Sequence, residues 1–211
     1  MDLLSTKRYV VFLQHINITM SNISSLNAGL GISDLKHKHQ LTSFVETGCY
    51  QGDSLMFAKD SGFDKLYSCD IDNNCVIKCQ ELIPNSKITN LESISFFKEI
   101  LPTLTEKTFF WLDAHFPAFY GLPENETTKF PLIEELKLIK SLKHNYQNDV
   151  IMCDDIRILL PEGNPYHLGH IWDMFKVNHT IKELTDVLED THNFYTLTKC
   201  VSEGVLVLVP K

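Results

Sequence analysis

The sequence predicts a doubly wound α/β protein: a mostly parallel seven-stranded sheet, helices on both faces, and an antiparallel strand near the C-terminus. Three observations carry this expectation. Short apolar runs alternate with helix-length amphipathic segments. A glycine-containing turn follows the first of these runs and opens a helix. The last two runs are joined by a connection too short for a parallel crossover.

Taken in order, residues 1–42 are the least regular, with mixed Ser, Asn and Gly through 21–31 and the polar stretch Lys36-His37-Lys38-His39. They are expected to form a helical or irregular N-terminal cover on a domain spanning 43–211. Buried strands are expected at Ser43-Phe44-Val45-Glu46, Lys65-Leu66-Tyr67-Ser68-Cys69, Lys87-Ile88-Thr89, Thr108-Phe109-Phe110-Trp111-Leu112 and Val150-Ile151-Met152-Cys153. Helices are expected between them at 53–61, 73–82, 94–101 and 131–144, the last placing Leu132, Ile133, Leu136, Ile139 and Leu142 at three- and four-residue spacing. Strands separated by helices require right-handed crossovers and therefore a parallel sheet. The final pair, Phe194 to Thr198 and Val205 to Val209, flanks a turn around Ser202-Glu203-Gly204, so one strand must run against the others.

A chain of 211 residues suits a single domain, and 44% hydrophobic with 22% charged residues is ordinary for a globular protein. The net charge of −8 argues against a nucleic-acid partner, whose binding needs clustered Lys and Arg. The N-terminal apolar stretch, Tyr9 to Leu13, is too short for a signal segment or a membrane span, so a cytoplasmic protein without a membrane partner is expected. On that reading the sequons at Asn17, Asn22, Asn125 and Asn178 are chance matches. The six cysteines show no C-x-x-C pair and are expected as reduced thiols.

The turn Glu46-Thr47-Gly48-Cys49-Tyr50-Gln51-Gly52 sits where a nucleotide-type cofactor meets a doubly wound sheet. Gly48 would permit a tight turn, and Gly52 a close approach of helix and cofactor. The pattern is not G-x-G-x-x-G, and the Glu46 carboxylate would repel a pyrophosphate but suit a cofactor bearing an ammonium or sulfonium. About 20 residues on, Asp70 ends the second strand at the interval suited to binding ribose hydroxyls. Asp72 has a competing reading as a helix N-cap.

These residues resemble class I methyltransferases that use S-adenosylmethionine (SAM), from about Phe44 to the C-terminus. Val45 to Ser54 is similar to the family's first motif, especially in the catechol O-methyltransferase-like branch, and Leu66 to Asp72 to its second. The resemblance implies a Rossmann-like sheet whose reversed strand is inserted through a terminal hairpin. It also implies that Tyr50 and Ser54 touch the methionine end of SAM, that Asp70 binds the ribose, and that Glu92 to Ser95, including Ser93 and Ser95, lies at the adenine edge.

The fourth strand runs into Asp113-Ala114-His115 and the fifth into Asp154-Asp155, both at the carboxyl edge where ligands bind. Three carboxylates together would need a cation, and an oxygen-only set suits Mg²⁺, Mn²⁺ or Ca²⁺. The metal-dependent O-methyltransferases use acids at these places, so the resemblance also implies a metal on Asp113, Asp154 and Asp155. Where those enzymes carry a lysine base this chain has Ala114, His115 and Phe116, leaving His115 as the candidate base beside Asp113. The competing reading makes these aspartates helix caps or partners of Arg157. His167 and His170 either reach the same crevice or lie on a half-exposed helix face. The Pro117 to Lys129 segment is expected to form a lid.

The expected activity is O-methylation of a hydroxyl on a small polar acceptor, with divalent-metal assistance. The alternatives are a metal-free small-molecule N-methyltransferase, a nicotinamide-dependent oxidoreductase, and a SAM-fold binding module. The oligomeric state, a homodimer among the options, stays open.

Overall fold

The computed structural model describes residues 32–159, 176–200 and 203–211. His167, His170 and most of the expected N-terminal cover lie outside the described residues. The elements are α1 (Ile32–His39), β1 (Ser43–Thr47), α2 (Asp53–Asp60), β2 (Lys65–Asp70), α3 (Asn73–Leu82), β3 (Lys87–Asn90), α4 (Ser93–Ile100) and β4 (Thr108–Leu112). They continue with α5 (Glu126–Lys129), α6 (Leu132–Leu142), β5 (Val150–Cys153), α7 (Ile181–Leu188), β6 (His192–Cys200) and β7 (Glu203–Pro210).

The sheet order is β3-β2-β1-β4-β5-β7-β6. All pairings from β3 through β5 are parallel, while β7 runs antiparallel to both β5 and β6. The hairpin thus inserts its second strand between β5 and β6, and β7 is the one reversed strand, as the short connection required. The order turns back at β1, with β2 on one side and β4 on the other, so the crevice above their carboxyl ends opens beside the glycine turn.

β1, β4 and β5 are buried along their whole length. Successive side chains therefore feed two cores. Phe44, Phe109 and Trp111 pack against α1, α2 and α3 through residues such as Leu35, Leu55 and Val76. Val45, Phe110 and Leu112 pack on the opposite face against α4, α6 and α7 through Phe97, Leu136 and Leu188. Phe44 and Phe109 stack across β1 and β4 with ring centroids 5.7 Å apart, and Phe63 tilts against Phe44 at 5.6 Å. Truncating Phe44 or Phe109 to Ala should cost about 3–5 kcal/mol.

The amino ends of β4 and β5 are tied by a buried ion pair. Lys143 Nζ lies 2.9 Å from Asp149 Oδ2 and donates to the Glu106 carbonyl, while Asp149 Oδ1 accepts the Thr108 N–H at 2.8 Å. This clamp lies at the edge opposite the crevice and fixes the strands that carry the site.

α7 is an element that apolar periodicity did not reveal. A capping box between Thr180 and Glu183 starts it, and Leu184 and Leu188 anchor it. Among the described residues, no helix is long and apolar enough to cross a membrane.

Candidate active site

A cavity of about 530 Å³ opens above the carboxyl ends of β1, β2, β4 and β5, within the range of small-molecule sites. It reaches from Asp70 and Tyr50 at one end to Asp113, His115 and Asp155 at the other.

Its first wall is the glycine turn. Gly48 has φ +84°, and a Cβ there would lie 3.0 Å from the Asp113 carbonyl oxygen, so only glycine suits both the conformation and the gap. The Gly48 and Cys49 N–H groups both donate to the Cys69 carbonyl at 3.0 Å, tying the turn to the end of β2. Gly52 lies outside the cavity lining. At φ +86°, its missing side chain makes room for Cys79 Sγ on α3, so it lets α2 and α3 pack closely. Glu46 also departs from expectation. It is fully buried beneath the turn, outside the cavity lining, where Ser54 and Ser68 donate to its carboxyl. Burial raises its pKa well above the usual range against the pull of Ser68, and the carboxyl braces β1, β2 and α2. Tyr50 and Ser54 line the cavity.

Asp70 forms the floor beside the turn. Its Oδ2 accepts the Tyr50 N–H and its Oδ1 the Asp72 N–H, each at 2.9 Å. Burial raises its pKa and these two N–H groups oppose the rise. Each oxygen retains accepting capacity toward the cavity, the arrangement a pair of ribose hydroxyls needs. Asp72 caps α3 through the Asn74 N–H, and it also lines the cavity. Ser93 lines the cavity, whereas Ser95 does not. The Ser95 hydroxyl donates to Glu92, which caps α4.

At the other end, β4 and β5 bring Asp113, His115, Asp154 and Asp155 to one wall. Asp155 is engaged by neighbouring side chains there. Asp155 Oδ2 bonds His115 Nε2 at 3.0 Å and Asp155 Oδ1 faces Arg157 Nε at 2.8 Å, so each of its oxygens meets a protein group. Asp154 Oδ1 accepts the Asp155 N–H. Among the described residues no three His, Cys, Asp or Glu side chains are grouped to hold a metal ion. The expected cation on Asp113, Asp154 and Asp155 is thus not shown, and the Arg157 pairing weighed against it is present.

Electrostatics separate these acids. Burial, then the charges of Asp154 and Asp155, hold the Asp113 carboxyl well above the usual range. Burial works against ionised Asp155, but His115 and Arg157 outweigh it and lower its pKa. Burial likewise opposes protonation of His115, and the Asp155 hydrogen bond and charge more than offset it, raising its pKa.

Glu135 is an ionisable group near the site that belongs to no motif. The acids opening α6 suit the helix dipole, yet Glu135 is fully buried, and burial pushes its pKa up to about 7 against the pull of Ser93, Thr47 and His115. The available signal was its register, since Leu132, Glu135, Leu136 and Ile139 share one face. The Pro117 to Lys129 segment does border the cavity. Phe119 and Tyr120 line it, and the exposed Tyr120 ring lies 5.5 Å from that of Tyr50 across the rim.

This sheet, with its reversed strand between β5 and β6 and a crevice above β1 and β4, is the class I SAM-dependent methyltransferase fold. A Podospora anserina methyltransferase solved with S-adenosylhomocysteine (SAH) bound is 13% identical, covering 85% of this chain and 76% of its own, with a TM-score of 0.53. A candidate O-methyltransferase from Klebsiella pneumoniae is 12% identical over 88% of this chain and 80% of its own, with a TM-score of 0.57. The O-methyltransferase of Bacillus cereus in complex with SAH is 10% identical over 85% and 78%, with a TM-score of 0.53. No protein-family model and no curated protein matches the sequence.

Proposed function

We propose that this protein is a SAM-dependent methyltransferase that methylates a hydroxyl of a small polar molecule. The observation that carries the reading is one continuous cavity joining two different chemistries. One end is a glycine turn beside a carboxylate anchored by two backbone N–H groups. The other is a wall of acids that, among the described residues, carries one imidazole, His115.

The fit to SAM rests on that first end. Gly48 leaves the cradle that a Cβ would fill, Asp70 presents two acceptors for the ribose, and Tyr50, Ser54 and Ser93 complete the wall. The acidic lining suits a cofactor carrying positive charge. When bound, SAM supplies an electrophilic methyl group on a sulfonium. The chain's own contribution is to hold the acceptor in line, exclude water with Phe119 and Tyr120, and take the acceptor's proton on His115. Among the described residues the acids offer no three-ligand group for a divalent cation.

An amine acceptor is the second reading, favoured by Asp113, whose one-third-exposed carboxyl faces the cavity close to other acids and would be relieved by an ammonium. The test is a panel of hydroxyl and amine acceptors incubated with labelled SAM, with and without EDTA, and resolved by mass spectrometry. Label on oxygen supports the first reading and label on nitrogen the second. Transfer that needs added Mg²⁺ would contradict the pairing of Asp155 with His115 and Arg157 in place of a metal.

A further inference from the structure

Asp155 and Arg157 stand in a geometry that no metal role explains. His115 Nε2 bonds Asp155 Oδ2 at 3.0 Å, and the other Asp155 oxygen faces Arg157 Nε at 2.8 Å. The His115 and Asp155 side chains are about nine-tenths buried, and that of Arg157 slightly more. The remaining imidazole nitrogen, Nδ1, is buried and completes no hydrogen bond. It lies 3.8 Å from Asp113 Oδ1, beyond hydrogen-bond distance, and both residues line the cavity. The backbone is bent to achieve this. Asp155 itself and Phe116, next to His115, both have φ +50°, a left-handed conformation that is uncommon for residues other than glycine and concentrates at functional sites.

From this we infer that Asp155 and Arg157 are positioning residues that fix the tautomer of His115, keeping the proton on Nε2 and leaving Nδ1 as the basic nitrogen. An ionised carboxylate can only accept, so the nitrogen facing it must carry the hydrogen. The Arg157 charge, 2.8 Å from Asp155 Oδ1, helps to keep Asp155 ionised. Neutral His115 then has one basic nitrogen, and it is the one beside Asp113. This is the orienting logic of an acid–histidine pair, built on acids first expected to bind metal. As the acceptor oxygen forms its new bond to the methyl carbon, its proton passes to Nδ1, and the imidazolium so formed keeps its Nε2–H on Asp155. The role as base rests on the methyltransferase reading, whereas the tautomer does not.

The test is long-range ¹H–¹⁵N correlation NMR on the uniformly labelled full chain, at a pH where His115 is neutral, with His115→Gln used to assign its signals. Wild type should show a protonated Nε2 and an unprotonated Nδ1. In Asp155→Asn the amide oxygen should turn to the Arg157 cation and its NH₂ to His115, which inverts the tautomer, whereas Arg157→Lys should retain the wild-type pattern. A wild-type spectrum with the proton on Nδ1 overturns the inference, and it does so even if Asp155→Asn fails to fold. A folded Asp155→Asn with the wild-type tautomer overturns the role of Asp155. Because no cofactor is needed, the expected tautomer alongside failed SAH binding would sink the methyltransferase reading and leave the tautomer assignment standing.

Discussion

Gly48 and Asp113 meet backbone to backbone. A Cβ on Gly48 would sit 3.0 Å from the Asp113 carbonyl oxygen and 3.2 Å from its carbon, so the glycine turn and the wall carrying Asp113 are positioned by one contact. Gly48→Ala must therefore adopt φ +84° at a cost of about 1–2 kcal/mol and also push β4 away. Urea denaturation should show a loss of roughly 2 kcal/mol or more, and SAH affinity should fall at least about tenfold. An alanine variant that keeps both stability and SAH affinity would show that this contact is not tight.

Glu135 links stability to pH. In the unfolded chain its carboxyl loses its proton near 4.5, whereas burial keeps it protonated in the fold up to about 7. Across that window the unfolded state binds fewer protons, so this group removes stability as pH rises. Glu135→Gln should match wild type near pH 4.5 and be more stable by about 3 kcal/mol at pH 8. Paired chemical denaturation curves at the two pH values check this, and an equal difference at both would rule out the proton linkage.

Lys143 and Asp149 form an ion pair whose side chains are both fully buried. Lys143→Met leaves the carboxyl without its cation and should cost about 3–5 kcal/mol. Adding Asp149→Asn should recover part of that loss. Full additivity of the two changes in a double-mutant cycle would mean that the residues are not coupled.

The His115 and Arg157 contacts to Asp155 predict indifference to metal chelation. SAH titrations with EDTA and with millimolar Mg²⁺ should agree within about twofold, and isothermal titration with Mg²⁺ alone should give no saturable heat. A saturable Mg²⁺ isotherm lost in Asp113→Asn would restore the metal site.

Much of the fold was legible because its signals are local. β1, β4 and β5 are continuous apolar runs, each ends in a polar turn, and the short link before β7 allows one pairing direction only. The same locality placed Gly48 and Asp70. The site's second end was not legible, because which partner an aspartate selects depends on side-chain orientation across strands. Asp155 pairs with His115, 40 residues earlier, as well as with nearby Arg157, and sequence spacing does not rank those partners against a cation. Glu46 misled for a related reason: the carboxyl expected at the cofactor is buried against Ser68, a neighbour only once β1 and β2 pair. α7 did leave a signal, the Thr180 to Glu183 capping box, but its short apolar stripe gave little periodicity.

Whether Asp70 and the glycine turn hold SAM is tested most directly by calorimetric titration of SAH into wild type and Asp70→Asn, with folding checked by circular dichroism. Wild type should bind saturably and the folded variant at least about tenfold more weakly, since an amide cannot accept at both oxygen positions. Wild type that binds neither SAH nor SAM, or a folded Asp70→Asn that binds as tightly as wild type, would contradict the assignment of this site to SAM.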